Sequence, residues 1–282
     1  MASTIDLHIH TTASDGSDTP AELAARIAAS GIRVFSVTDH DTIDGALEME
    51  KLAPAGTVFI RGVEFSCVSP AGKCHILGYG YDPSHPALLA ALEEGQQRHL
   101  KALQRRLDAL RAQHGIVLTG EELSWLRSRN SPSRPHLGKL LVDRGLADSL
   151  DSAIRTYLKD IPGPDRIAAS AAIEAIEAAG GCSVWAHPLG GEGEKPLSRE
   201  QFEAQLAHLV GCGLRGMECW YSRYSLDQVR FLLDRAAQAG LTVTGGSDYH
   251  GTNKKGLYLG MLNRDNEPCS LSWELFSREC FM

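Results

Sequence analysis

No apolar run in this chain reaches the roughly 18 residues that a bilayer-spanning helix needs, and no basic, apolar, small-residue leader opens it, so a membrane span or a secretory signal is not expected. Cys-x-x-Cys pairs are also absent. The seven cysteines (Cys67, Cys74, Cys182, Cys212, Cys219, Cys269 and Cys280) are odd in number and lie in or beside apolar runs. That pattern argues against a disulfide framework and for reduced thiols in a cytoplasmic protein. An excess of positive charge is missing too: the net charge of -7 opposes broad electrostatic binding of nucleic acid, while leaving room for a local basic patch that holds a small anion. There is no internal repeat and no low-complexity tract. What is present is 282 residues, enough for one large α/β domain or for such a domain carrying an insertion.

Short apolar runs alternate with helical patterns. Strands are expected at residues 5–8, 34–38, 58–65 and 75–79, with a helix from Thr19-Pro20 to Ser30 closed by Gly31, and a second helix capped by Asp41-Thr42 and reaching about Leu52. The alternation resumes with helices at 171–179, 199–210 and 226–239 and strands at 183–186, 216–219 and 242–244. Alternating β and α units imply a mainly parallel sheet with helices outside, and seven strands suit a barrel better than a small open sheet. Between about Pro83 and Ala169 the pattern becomes helical, with Leu89, Leu92, Leu100, Leu103, Leu107 and Leu110 at helical spacing. We therefore expect an α/β barrel formed by residues 1–82 and 170–282, and a helical insertion, 83–169, that covers its mouth. Most of the insertion's basic residues, in a run that includes Arg106, read as a solvated helix face. The tail beyond Asn263, with Trp273, Leu275 and Phe276, is expected to pack on the barrel or to meet a partner chain.

Residues favoured by divalent metals recur at or near strand ends. They are His8, His10 and Asp15; His40; Glu64; His75; His187; and Asp248 with His250. In an extended strand His8 and His10 share a face while Leu7 and Ile9 pack behind them. In a β/α barrel the C-terminal strand ends converge on one mouth, so ligands scattered along the chain become neighbours. His75 is the exception, because it precedes its apolar run; a hairpin between Glu64 and His75 is needed to bring it in. Single members of this set also have plain structural readings, Asp41 as a helix cap and Asp15 before Gly16 as a turn.

Asp-Leu-His-x-His-Thr, Thr-Asp-His-Asp, Gly-x-Glu, a middle histidine, Ala-His-Pro and Gly-Ser-Asp-x-His-Gly, in this order, resemble the polymerase and histidinol phosphatase (PHP) domain family, in its phosphoesterase branch. The resemblance covers residues 3–82 and 170–262, with a helical insertion in the expected place. It implies a distorted (β/α)7 barrel and three divalent metal ions, manganese first, with iron or zinc as alternatives. Carried over by motif, His8, His10, Glu64 and Asp248 hold the first ion, Glu64, His75 and His187 the second, and Asp15, His40 and His250 the third. Asp6 and Asp39 are expected to orient histidines from behind.

Three divalent ions against the carboxylates Asp15, Glu64 and Asp248 leave about three excess positive charges by formal counting, which a phosphate dianion and a metal-bound hydroxide would neutralise. His187 or Asp248 could relay a proton. In Ser133-Arg134-Pro135-His136 a helix N-terminus and a guanidinium form an anion site, and the family resemblance places Arg134 and His136 over the metals. Tyr221, Arg223 and Tyr224 are candidates for holding a sugar or base, and Lys254 and Lys255 for a second phosphate. The expected activity is hydrolysis of a small nucleotide or sugar phosphate. Cyclic sugar phosphodiesters and the 5′ ends of short oligonucleotides are alternative substrates, and a metal or nucleotide sensor is the non-enzymatic alternative. Long nucleic acid is disfavoured by the acidity of the chain.

Overall fold

The structure, a computed structural model, describes residues 3–191, 196–269 and 271. The chain enters through β1 (Ile5–Asp6), α1 (Pro20–Ser30), β2 (Val34–Val37), α2 (Asp44–Leu52) and β3 (Val58–Ser69). Local chemistry explains α1: Thr19 and Glu22 form a reciprocal capping box, Pro20 occupies the first turn where its missing N–H costs nothing, and Gly31 takes the left-handed conformation at φ 81°. Leu23 and Ile27, four apart, turn the apolar stripe inward.

α2 departs from expectation. It starts at Asp44 after Ile43, and Asp41 caps nothing; its backbone is left-handed (φ 52°) and its carboxylate accepts from the Ser66 N–H at 2.9 Å and meets His99 Nε2 at 2.8 Å. Two partners, His99 buried and Ser66 half-buried, have taken the carboxylate that a helix cap would use. β3 likewise runs four residues past Phe65 and turns into β4 (Gly72–Tyr79), its antiparallel partner, with Ser66 opposite His75 and Glu64 opposite Leu77. This is the hairpin that His75 required. Side chains two apart on a strand share a face, so Glu64 and His75 become diagonal neighbours across the ladder.

After the helical stretch come β5 (Ile167–Ala168), α7 (Ala169–Ala178), β6 (Cys182–Trp185), α8 (Arg199–Gly211), β7 (Gly216–Tyr221), α9 (Leu226–Ala239) and β8 (Thr242–Gly246). The sheet runs β1-β2-β3-β4-β6-β7-β8, with β5 pairing off this path to β3. Its paired neighbours are parallel except β4, which runs against both β3 and β6. The Leu7 N–H donates to the Gly245 carbonyl at 3.1 Å and Ile9 bridges Tyr249 in parallel, so β8 returns to the first strand and the barrel is nearly closed. Gly246 permits this approach, since a Cβ there would lie 2.2 Å from that of His8. Leu7 packs with Ile5, Val34 and Leu77, and Ile9 with Leu23, Ile27 and Phe35, which leaves His8 and His10 for the opposite side.

Residues 86–158 form α3 (Pro86–His114), α4 (Gly120–Arg127), α5 (Arg134–Asp143), α6 (Leu150–Ala153) and a π-helical turn (Ile154–Leu158). Leu103, Leu110, Leu126, Leu137, Leu141 and Leu158 make an apolar cluster of their own. One expectation about α3 fails: Arg106 is only 3% exposed and belongs to no solvated face. Another fails at the cysteines. Cys67, Cys74, Cys212, Cys219 and Cys269 are free thiols, but Cys182 is disulfide-bonded. Among the described residues no helix is long and apolar enough to cross a membrane. Trp273, Leu275 and Phe276 of the tail lie outside the described residues.

Candidate active site

The strand ends at the barrel mouth bring the nine metal-type residues into one buried cluster centred on Glu64. Its Oε1 lies 3.1 Å from His75 Nδ1 and 3.0 Å from His187 Nε2, and its Oε2 lies 3.3 Å from His8 Nε2, 3.2 Å from His10 Nε2 and 3.1 Å from His40 Nδ1. One carboxylate thus divides five imidazoles between its two oxygens. Asp248 Oδ1 lies 3.6 Å from His8 Nε2 and 3.4 Å from His10 Nε2. Asp15 faces His250 Nε2 at 3.1 Å, with His10 Nδ1 at 3.6 Å and His40 Nε2 at 3.9 Å. Three groups of donors each lie within 4.8 Å of one another: His8, His10 and Asp248; His8, Glu64 and His187; and His10, Asp15, His40 and His250.

A PHP domain model matches residues 6–160. This chain belongs to the PHP domain family. A 3′,5′-nucleoside bisphosphate phosphatase from Chromobacterium violaceum is 31% identical over 263 residues, 91% of this chain and 90% of the relative. A 5′-3′ exoribonuclease from Haemophilus influenzae is 31% identical over 263 residues, 89% of this chain and 91% of the relative. A structure from Bifidobacterium adolescentis, described as a metal-dependent phosphoesterase, superposes with a TM-score of 0.78 at 29% identity, over 93% of each chain.

The donor set of this PHP chain fits divalent cations. Glu64 Oε2, His40 Nδ1 and His250 Nε2 are buried without a hydrogen-bond partner, although each sits beside another donor atom of the cluster. Ring nitrogens face each other at 3.1 Å in His8–His10 and at 3.2 Å in His75–His187. Cations between these atoms would satisfy what hydrogen bonds do not, and imidazole with carboxylate suits manganese, iron or zinc. Electrostatics favours the ligating forms of the carboxylates. Burial pushes the Glu64 carboxyl up, but His40, His8 and His75 outweigh it and hold it well below the usual range. Asp15 is held down in the same way by His250 and His40, and Asp248 by Lys254 and His250. Backbone strain collects here as well, with His187 at φ 28° and Asp248 at φ 55°.

The groups behind the cluster differ from those expected. Asp6 accepts from the Ser247 N–H and hydroxyl (2.9 and 2.6 Å), the Gly260 N–H (2.8 Å) and the His8 N–H (3.4 Å), so it pins the chain leaving β8 and the backbone of His8, and among the described residues it meets no imidazole ring. Asp39 accepts from Thr11 and, at 2.6 Å, from the Ser14 hydroxyl, which lies 3.4 Å from His10 Nδ1; its influence on His10 passes through Ser14. The carboxylate that does hold a ring of the candidate ligands is Glu218, which no motif reveals. Its Oε1 meets His8 Nδ1 at 2.9 Å and its Oε2 accepts from the His187 N–H at 2.7 Å. The available signal was a single acid inside the apolar strand Gly216–Tyr221, where it is wholly buried.

The candidate substrate residues are dispersed. Arg134 lines the cavity of about 710 Å³ beside His40 and His75, with Nη2 donating to the Ile161 carbonyl at 2.7 Å. Tyr221 and Lys254 both donate to Asp248 Oδ2, at 2.9 and 2.8 Å, so they brace a candidate ligand and leave Oδ1 for the cluster. Arg223 donates to the Lys255 carbonyl at 2.9 Å, and the Tyr224 hydroxyl accepts from the Leu189 N–H just past His187. His136 lines a different cavity, with Thr12, Trp125 and Arg129.

That placement gives His136 a measurable signature. Its Nδ1 accepts from the Ser133 N–H at 3.1 Å and its other nitrogen donates to the Thr12 carbonyl; burial first, then Arg129, push its pKa down to about 4. Between pH 6.5 and 4 the unfolded chain therefore binds the extra proton, and stability falls as pH falls through that window and levels below it. We expect His136→Gln, which keeps an acceptor at the third helical position, to lose about 2–3 kcal/mol of this acid-side slope. Unfolding free energies of both proteins at pH 7.5 and 4.5 check this; equal slopes would remove His136 from the account.

Proposed function

We propose that this PHP-family chain hydrolyses phosphate esters of a small nucleotide or sugar phosphate, with three divalent ions, manganese first, held by the nine clustered residues. The observation that carries this reading is Glu64, whose two oxygens each face a separate set of imidazoles, as a carboxylate bridging two ions would. His8, His10, Glu64 and Asp248 would hold one ion, Glu64, His75 and His187 a second, and Asp15, His40 and His250 a third. Bound there, the ions would lower the pKa of water and offset charge on phosphoryl oxygens.

The chain's own residues position and protonate. Tyr221 and Lys254 fix Asp248 through one oxygen, Glu218 fixes His8 and the backbone of His187, and Arg134 offers its guanidinium from the cavity wall to a phosphate oxygen. His187 and Asp248 are the proposed proton carriers toward the leaving oxygen. In this reading the helices of residues 83–169 cover the barrel mouth and supply Arg134. A cavity of about 710 Å³ suits a mononucleotide-sized substrate. Hydrolysis of short oligonucleotides from the 5′ end is supported by the Haemophilus relative's name and shares the same site.

Hydrolysis by manganese-loaded protein tests the proposal, read as phosphate release from mononucleotides and nucleoside 3′,5′-bisphosphates, as ring-opened monoester from cyclic sugar phosphates and as mononucleotide release from short oligonucleotides. We expect release from a small-ester class, lost in His10→Ala and Asp248→Ala. Protein that binds metal yet hydrolyses none of them would overturn it and favour a sensor.

A further inference from the structure

α3 carries His99 and Arg106 seven residues apart, two helical turns, and both line the cavity that His40, His75 and Arg134 border. The two side chains are held very differently. His99 meets the Asp41 carboxylate at 2.8 Å, next to His40. Arg106 is only 3% exposed, yet its Nε and Nη1 have no hydrogen-bond partner, and among the described residues no carboxylate lies within ion-pair distance of it. The charges that act on it are like ones: burial first, then Arg134 and Arg105, lower its pKa to about 10, which still leaves it charged at neutral pH. Asp165, an acid in the same cavity wall, is largely exposed and lies 3.8 Å from Arg105 instead. Arg134 Nε is also buried without a partner.

Buried charge is normally paired, because desolvating an unpaired ion is costly. A guanidinium with two unpartnered nitrogens, turned with a second guanidinium toward a polar cavity, matches the fork geometry of a phosphate or carboxylate. We infer that Arg106, with Arg134 beside it, receives a second anionic group of the substrate, a phosphate on the same molecule whose first phosphate lies at the Glu64 cluster. This inference rests on the proposed phosphoesterase reading and narrows its substrate class to esters with two anionic groups. Arg106 is then a specificity residue that discriminates doubly from singly phosphorylated substrates.

The test compares adenosine 3′,5′-bisphosphate with AMP in wild type, Arg106→Met and Arg106→Lys, all metal-loaded and shown to be folded by circular dichroism. Two readouts are used: kcat and KM for hydrolysis, and calorimetric affinity for hydrolysis-resistant phosphonate analogues of both compounds. We expect Arg106→Met to reduce the preference for the doubly charged compound by about 30-fold, mainly in KM and affinity, the size of one charge-assisted bidentate contact. Arg106→Lys, keeping charge without the fork, should lose about 3-fold and serves alone if the Met variant does not fold. Equal losses on both compounds would overturn the inference while leaving the hydrolytic reading intact. Turnover of neither compound, with analogue binding still selective through Arg106, would overturn the hydrolytic reading and keep the anion site.

Discussion

Glu64→Gln is expected to lower phosphoesterase activity by about 10³-fold and to strip more than one ion from the protein, an effect on the order of 4 kcal/mol at the transition state. The reasoning starts from the five ring nitrogens within 3.0–3.3 Å of this one carboxylate. A glutamine offers one oxygen and one NH2. Whichever way the amide turns, it serves either His75 and His187 or the trio His8, His10 and His40, and it presents N–H donors to the other set. It also removes a full negative charge from a pocket where imidazole neighbours hold the carboxyl ionised far below its usual range. Metal analysis by mass spectrometry beside steady-state phosphate release checks the result. A variant that keeps its full metal content and stays within 10-fold of wild-type activity would show that Glu64 does not bridge.

How much of this was legible depends on the distance over which each residue finds its partner. The capping box of Thr19 and Glu22, with Gly31 at the far end, is local chemistry and reads directly from the chain. The alternation of apolar runs and helices yields the barrel for the same reason, and motif spacing yields the nine clustered residues. Reversal of β4 was visible only as a discrepancy, since His75 stood on the wrong side of its apolar run; the hairpin that cures it depends on pairing with β3. Asp41 was misread because its partners, Ser66 and His99, are 25 and 58 residues away. Arg106 was misread for a related reason. A helix with water on one side has one apolar stripe, but α3 buries Leu88 and Ala91 with the barrel cluster and Leu103 and Leu110 with a separate one, while its buried Arg106 lines the cavity.

Glu218→Gln is expected to cost about 10–100-fold in metal affinity, with a matching loss of activity at limiting metal. Both oxygens of Glu218 are engaged, one with the His8 ring and one with the His187 N–H, so it sets the rotation of one candidate ligand and the backbone position of another. Gln can accept at only one of these places and must point N–H toward the other, a buried mismatch that tilts His8 away from Glu64 and Asp248. The two glutamine variants therefore separate by titration. Glu218→Gln keeps all nine donors and recovers most activity when manganese is raised 100-fold, whereas Glu64→Gln has lost a donor and recovers little. Failure of added manganese to restore Glu218→Gln would mean that Glu218 acts on the reacting groups themselves, and its place 2.9 Å from His8, wholly buried, would then have to be explained through the proton on that ring.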